Sequence, residues 1–215
     1  MKDIDTHPNE NIIKAALINN YAHINSKPFV VCNELTISEE YKIVDLVFCK
    51  DHLSYAYEIK AWNDDMRRLP SQLDVYCKLF DYVYVATTTN HLNQLQSIPD
   101  FVGIVLYSTK TKKILYKRQA KRNHLIDKQE LLMSIPILFI RNNSLHPKYT
   151  RSDNNLFSLS QAHKLFIEHI SSKCRWTNND LKTILHYEDI LMNTDYISLD
   201  YRCSKKMYIR FSFPE

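Results

Sequence analysis

The chain has 215 residues, 45% of them hydrophobic, enough for one well-buried core with an appendage or for two small domains. Its formal net charge of +4 is mildly basic, compatible with nucleic-acid binding but not an argument for it. A single glycine, Gly103, excludes sites that cradle phosphate on a glycine-rich loop, which sets aside the P-loop and dinucleotide-binding enzymes.

No apolar run approaches the ~20 residues of a membrane helix, and Met1-Lys2-Asp3-Ile4-Asp5 lacks the pattern of a secretory leader. The expectation is a cytoplasmic protein with no membrane partner. Five cysteines, an odd number without a C-x-x-C pair, read as reduced structural residues rather than a disulfide framework or zinc knuckle.

Residues 9 to 22 carry Ile12, Ile13, Ala16, Leu17 and Tyr21 close to helical spacing, with Asn9 or Asn11 as cap. Three strand-like runs follow: Phe29-Val30-Val31-Cys32, Ile43 to Phe48, and Tyr55 to Lys60, the last two separated by a short polar stretch that suits an antiparallel pair. Pro70 opens a helix to about residue 80, with Leu73, Tyr76 or Cys77, and Phe80 on its buried face. A strand at 82–86, a short helix near 91–97 and a strand at 102–107 complete the pattern. This order predicts an α/β protein, a mixed sheet flanked by helices.

Beyond residue 108, seven lysines and arginines from Lys110 to Arg122 crowd into one stretch, equally readable as a phosphate-tracking surface or a solvated hairpin. A leucine-rich helix near 127–140, a polar loop to Asn155, helices near 158–171 and 179–192, and a strand-like ending at 197–213 follow. A soft boundary near residue 120 divides a core, 1–120, from a mainly helical extension, 121–215, of unassigned role.

Phosphodiester hydrolysis needs a divalent cation beside the phosphate and a group that positions or deprotonates water. Strand alternation puts Glu58 and Lys60 on one face and turns Ile59 the other way, and Asp45 on the preceding strand can lie across from Glu58. Alone, a Glu-x-Lys pair on a strand is usually a solvated face. Here Asp45 interrupts an apolar strand, where a charge is costly unless paired or metal-bound.

Asp45, then Glu58-Ile59-Lys60, then Arg68-Leu69-Pro70, Gln72 and Tyr76 resemble the PD-(D/E)XK nuclease superfamily, and within it the sce7726-like group related to the MmcB DNA-repair proteins, over about residues 29 to 107. The resemblance implies a restriction-endonuclease-like sheet and a Mg²⁺- (or Mn²⁺-) dependent endonuclease acting on DNA in repair, defence or a mobile element. It gives Asp45 and Glu58 the metal, with Ile59 and Glu34 joining the ligand set, Lys60 the attacking water, and Gln72 and Tyr76 the flanks of the site. Val44 stands at the superfamily's proline, while Ile43 and Ala61-Trp62 depart from the basic, small polar and acidic residues of the group. Arg68, Trp62, Tyr76, Lys112, Lys113 and Lys117 are the candidate nucleic-acid contacts. DNA, RNA as a second candidate, and another copy of the chain are the partners carried forward. The alternatives are a DNA-binding module without turnover and a protein-interaction module.

Overall fold

The computed structural model describes residues 8–25, 27–37 and 42–173, with the backbone of 176–177. The first helix, α1 (Glu10–Ile24), is capped by Asn9, whose side chain accepts from the Ile12 amide at 3.0 Å. An antiparallel meander follows: β1 (Val30–Ile37), β2 (Lys42–Lys50) and β3 (Leu53–Lys60). Helix α2 (Leu69–Leu79), with proline in its first turn, crosses to β4 (Tyr82–Thr87), which runs parallel to β3. Strand β5 (Gly103–Ser108) extends the parallel part, and β6 (Lys113–Arg118) returns antiparallel to it. Helices α3 (Lys128–Met133), α4 (Ile137–Asn143) and α5 (Leu159–Lys173) precede β7 (Trp176–Thr177), which pairs with β1. The seven-stranded order is β6-β5-β4-β3-β2-β1-β7, a mixed sheet between helices with a helical carboxy-terminal region.

Each face of the sheet has its own apolar core. Ile13, Leu17 and Tyr21 of α1 pack on Leu46, Phe48, Tyr57, Ile59, Tyr84 and Val105. On the other face, α2 and the later helices cover Val47, Ala56, Val83, Val85 and Leu106. Tyr55 stacks on Tyr82 and Tyr57 on Tyr84 across the parallel pair, with centroids 4.8 and 4.7 Å apart. Gly103, opposite Tyr84, leaves room for that ring, since a Cβ there would lie 2.2 Å from Tyr84 Cδ1.

The sequence-based expectations need four adjustments. The helix expected over 127–140 is two helices, because Pro136 breaks the run. The segment expected as a helix at 91–97 is a 3-10 stretch, Thr89–Leu95. The basic stretch contains strand β6, in which Ile114 and Tyr116 pack toward α1 while Lys113, Leu115 and Lys117 are exposed. Residue 120 is not a break in packing: Leu131, Leu132, Ile135, Ile140, Phe166 and Ile170 belong to the same apolar cluster as Val47, Leu73 and Val85. The expected elements at 179–192 and 197–213 lie outside the described residues.

Helix α5 is also tied to the sheet by a polar latch. Asp81, 1% exposed at the start of β4, accepts from the Ser54 amide and hydroxyl and from His163 Nε2, all at 2.9 Å. Burial opposes ionisation of Asp81, but the bonds from His163 and Ser54 outweigh it and hold the carboxyl below its usual value. Its contribution to stability is therefore complete above the ordinary carboxyl pKa and fades as pH falls through the lower folded-state value. Asp81→Ala is expected to cost about 2–3 kcal/mol near neutral pH by stranding buried donors. Urea unfolding would check this, and the difference from wild type should shrink in acid.

Candidate functional site

The site lies where β2 and β3 part. Their pairing runs from Lys50↔Leu53 to Leu46↔Tyr57 and stops, although the same register would next place Asp45 opposite Glu58. In place of a ladder bond, the Ile59 amide donates to Asp45 Oδ2 at 2.6 Å. The amide and carbonyl of a strand residue point the same way, so the Ile59 carbonyl faces this gap while its side chain is buried among the α1-side apolar residues.

The disturbance continues into β1. Pairing of β1 with β2 steps from Asn33↔Leu46 to Leu35↔Val44, passing over Glu34 and Asp45 in an otherwise constant register. Glu34 has a left-handed backbone, φ 52°. Side-chain alternation slips by one at this point on both strands: Val30 and Cys32, then Leu35 and Ile37, face the α2 side, as do Cys49 and Val47, then Val44. Two strands thus change phase together, and Glu34 and Asp45 occupy the change.

Around the gap the polar atoms are closely spaced. Lys60 Nζ donates to Glu58 Oε1 at 2.7 Å and to Gln72 Oε1 at 3.0 Å. The Tyr76 hydroxyl lies 2.7 Å from Glu58 Oε2 and 2.7 Å from the Ile43 carbonyl. The hydroxyl carries one proton, so at most one of these two contacts is a full donated bond at a time. Glu58 is 1% and Lys60 4% exposed. Burial, then the nearby charges of Glu58 and Glu10, push the Asp45 carboxyl up to about 8 against the opposing pull of the Ile59 amide and Lys14. A carboxylate pair that holds a proton is one that a cation would discharge.

The structure thus brings together Asp45, Glu58, Lys60, Gln72 and Tyr76. Glu34 is drawn elsewhere: its Oε1 accepts from Lys14 Nζ at 3.2 Å, and Lys14 also pairs with Glu10 Oε1 at 2.5 Å. Among the described residues, no three His, Cys, Asp or Glu side chains converge as a metal-holding group. Asp45, Glu58 and the Ile59 carbonyl nonetheless offer the hard oxygen donors that suit Mg²⁺, with water for the remaining positions. Glu10 and Lys14 escaped the sequence reading because an i, i+4 Glu–Lys pair on a helix resembles an ordinary surface pair. Lys14 is 2% exposed.

The turn after Lys60 is held from behind. Asp64 accepts from the Ala61 amide at 2.8 Å and Asp65 caps the Arg67 amide at 2.8 Å, so both act as turn residues. His91, in the segment expected as a short helix near 91–97, is buried with Nε2 3.0 Å from the Ala61 carbonyl and 3.1 Å from the Trp62 carbonyl. Arg68 is exposed one helical turn before Gln72, and Trp62 is half-buried. Lys112, Lys113 and Lys117 are exposed on or beside β6, three strands from β3. At ~4.8 Å per strand that is about 14 Å, so they flank the gap rather than join it. Among the described residues no helix is long and apolar enough to cross a membrane, and Cys32, Cys49 and Cys77 are buried.

The family model described as bacteriophage P4 protein cII matches residues 4–190, and the chain belongs to that family. No curated protein matches it. Among solved structures, the SPO1766 protein of unknown function from Silicibacter pomeroyi is similar at 15% identity, over 56% of this chain and 77% of that one, with a TM-score of 0.43.

Because the Asp45 carboxyl is raised, the folded protein favours its protonated form, and ionising it weakens the fold as pH rises from about 4 to about 8. In EDTA, Asp45→Asn is expected to stabilise the protein by on the order of 2 kcal/mol at about pH 9 and by little near pH 4. Thermal unfolding across that range tests the sign, and a gap independent of pH would rule out ionisation as its source.

Proposed function

We propose that this member of the bacteriophage P4 protein cII family is a divalent-metal-dependent nuclease of the PD-(D/E)XK type that hydrolyses phosphodiester bonds in DNA. One observation carries the reading: β2 and β3 separate so that Asp45 and Glu58 face each other across a gap, with the Lys60 ammonium 2.7 Å from Glu58. A purely structural ion pair would not require the strands to part.

Asp45, Glu58 and the Ile59 carbonyl would hold Mg²⁺ or Mn²⁺. The cation would supply positive charge against the negative charge that develops on the phosphate. Lys60, held by Gln72, presents an ammonium beside that position and can orient a water or stabilise the departing oxygen. Tyr76 fixes the second oxygen of Glu58, leaving the carboxylate little freedom to rotate away. Arg68 and Trp62, together with Lys112, Lys113 and Lys117, provide cationic and aromatic contacts around the gap for a nucleic-acid backbone and bases. The bacteriophage name of the family supports a role in a mobile element.

A binding module without turnover is the second reading, favoured by the closure of the site: Glu58 and Lys60 are almost wholly buried, and Lys60 is already engaged by two partners. Cleavage of linear, circular, single-stranded and branched DNA, and of RNA, in Mg²⁺, Mn²⁺ or EDTA separates the two. Wild type is expected to cleave DNA only with metal, and Lys60→Ala to lose at least about 100-fold in rate while still binding DNA. Salt-dependent binding by wild type with no cleavage under any metal would select the second reading.

A further inference from the structure

Lys14 lies in the middle of α1, yet its side chain is only 3% exposed and its ammonium is enclosed by the carboxylates of Glu10 and Glu34. Burying an ammonium is expensive unless its partners are fixed. Here they are: Glu34 is held in a left-handed conformation, φ 52°, that a non-glycine residue adopts at a cost of roughly 1–2 kcal/mol. The β1–β2 pairing passes over Glu34 and Asp45 at the same step, and both Lys14 and Glu10 act electrostatically on the Asp45 carboxyl. Lys14, Glu34 and Asp45 therefore belong to one charged cluster that continues to Glu58 and Lys60.

The two ammoniums stand on opposite flanks of the carboxylate pair. Lys60 closes the Glu58 side, and Lys14 closes the Glu34 side of Asp45. Two-metal phosphodiesterase centres place their ions about 3.5–4 Å apart around a shared carboxylate. A second ion beside Asp45 would need oxygen donors from Glu34, which Lys14 already engages. Charge balance agrees. With all groups ionised, the carboxylates of Glu10, Glu34, Asp45 and Glu58 against the ammoniums of Lys14 and Lys60 leave two negative charges, which one divalent cation neutralises. A second would leave two positive charges on a cluster in which Lys14, Glu58 and Lys60 are buried, at a cost in desolvation.

We propose that the centre takes a single divalent cation, between Asp45 and Glu58, and that the buried Lys14 ammonium stands in for a second one. This rests on the metal-dependent reading of the site but is tested apart from catalysis. Mn²⁺ bound to the full chain would be counted by equilibrium dialysis and by electron paramagnetic resonance. Wild type is expected to bind one Mn²⁺. Lys14→Met, which keeps most of the volume and removes the charge, is expected to bind two, with a spin-coupled signal from neighbouring ions. Lys14→Gln provides the same comparison if the methionine variant does not fold. Two Mn²⁺ in wild type, or one in a folded Lys14 variant, would overturn the assignment to Lys14 while leaving the metal centre intact. No Mn²⁺ bound to wild type would overturn both.

Discussion

Between β2 and β3 a side chain does what the backbone does elsewhere. The Asp45 carboxylate accepts the Ile59 amide at 2.6 Å, so the strands can separate without leaving that donor unpaired. The separation keeps the Glu58 carboxylate and the Ile59 carbonyl beside Asp45 while the sheet continues on either side. Were the ladder to continue, Asp45 and Glu58 would be an ordinary cross-strand pair of like charges, a destabilising arrangement. The bond to Ile59 leaves the other Asp45 oxygen outside this main-chain contact, and burial raises the proton affinity of the group.

The gap is braced from both faces of the sheet. From α2, Gln72 reaches Lys60 and Tyr76 reaches Glu58 and the Ile43 carbonyl, so one helix spans the two strands that have parted. From α1, Lys14 and Glu10 engage Glu34 at the matching distortion in β1. Behind Lys60, Thr87 donates to its carbonyl at 2.7 Å, and His91 clamps the turn that follows. The site is therefore carried by rigid elements rather than by a loop, which is what a precise placement of charges requires.

At the opposite end of the same strands, Ser54, Asp81 and His163 tie β3 and β4 to α5. Asn123 reinforces this end by donating to the Phe80 carbonyl at 2.8 Å, while its amide donates to the Asp81 carbonyl at 2.8 Å. The carboxy-terminal helices thus stabilise the starts of the strands whose other ends build the charged gap. Their apolar side chains complete the core on the α2 face, so removing them would expose the sheet rather than detach an appendage.

Much of the architecture was legible from residue patterns. The β-branched and aromatic runs located the strands, Pro70 located the start of α2, and Asn9 or Asn11 offered the cap of α1, of which the structure uses Asn9, because these depend on local periodicity and local hydrogen bonding. Asp45 stands out because a charge within an apolar strand is costly unless paired, whereas Glu58, Lys60, Gln72 and Tyr76 are marked by the resemblance of their combined pattern to the PD-(D/E)XK superfamily rather than by anything unusual in each of them. What tertiary structure alone decided is where the partners meet. Nothing local to Glu10 or Lys14 marks them, since the burial of Lys14 arises only when α1 lies against β1 and β2. The turn of Glu34 toward Lys14 is likewise a long-range event, as is the enclosure of Asp81 by Ser54 and His163. Strand and helix identity follow from short-range sterics and spacing, whereas the electrostatic field at a buried carboxylate is the sum of charges from elements far apart in the chain, and only folding brings those together.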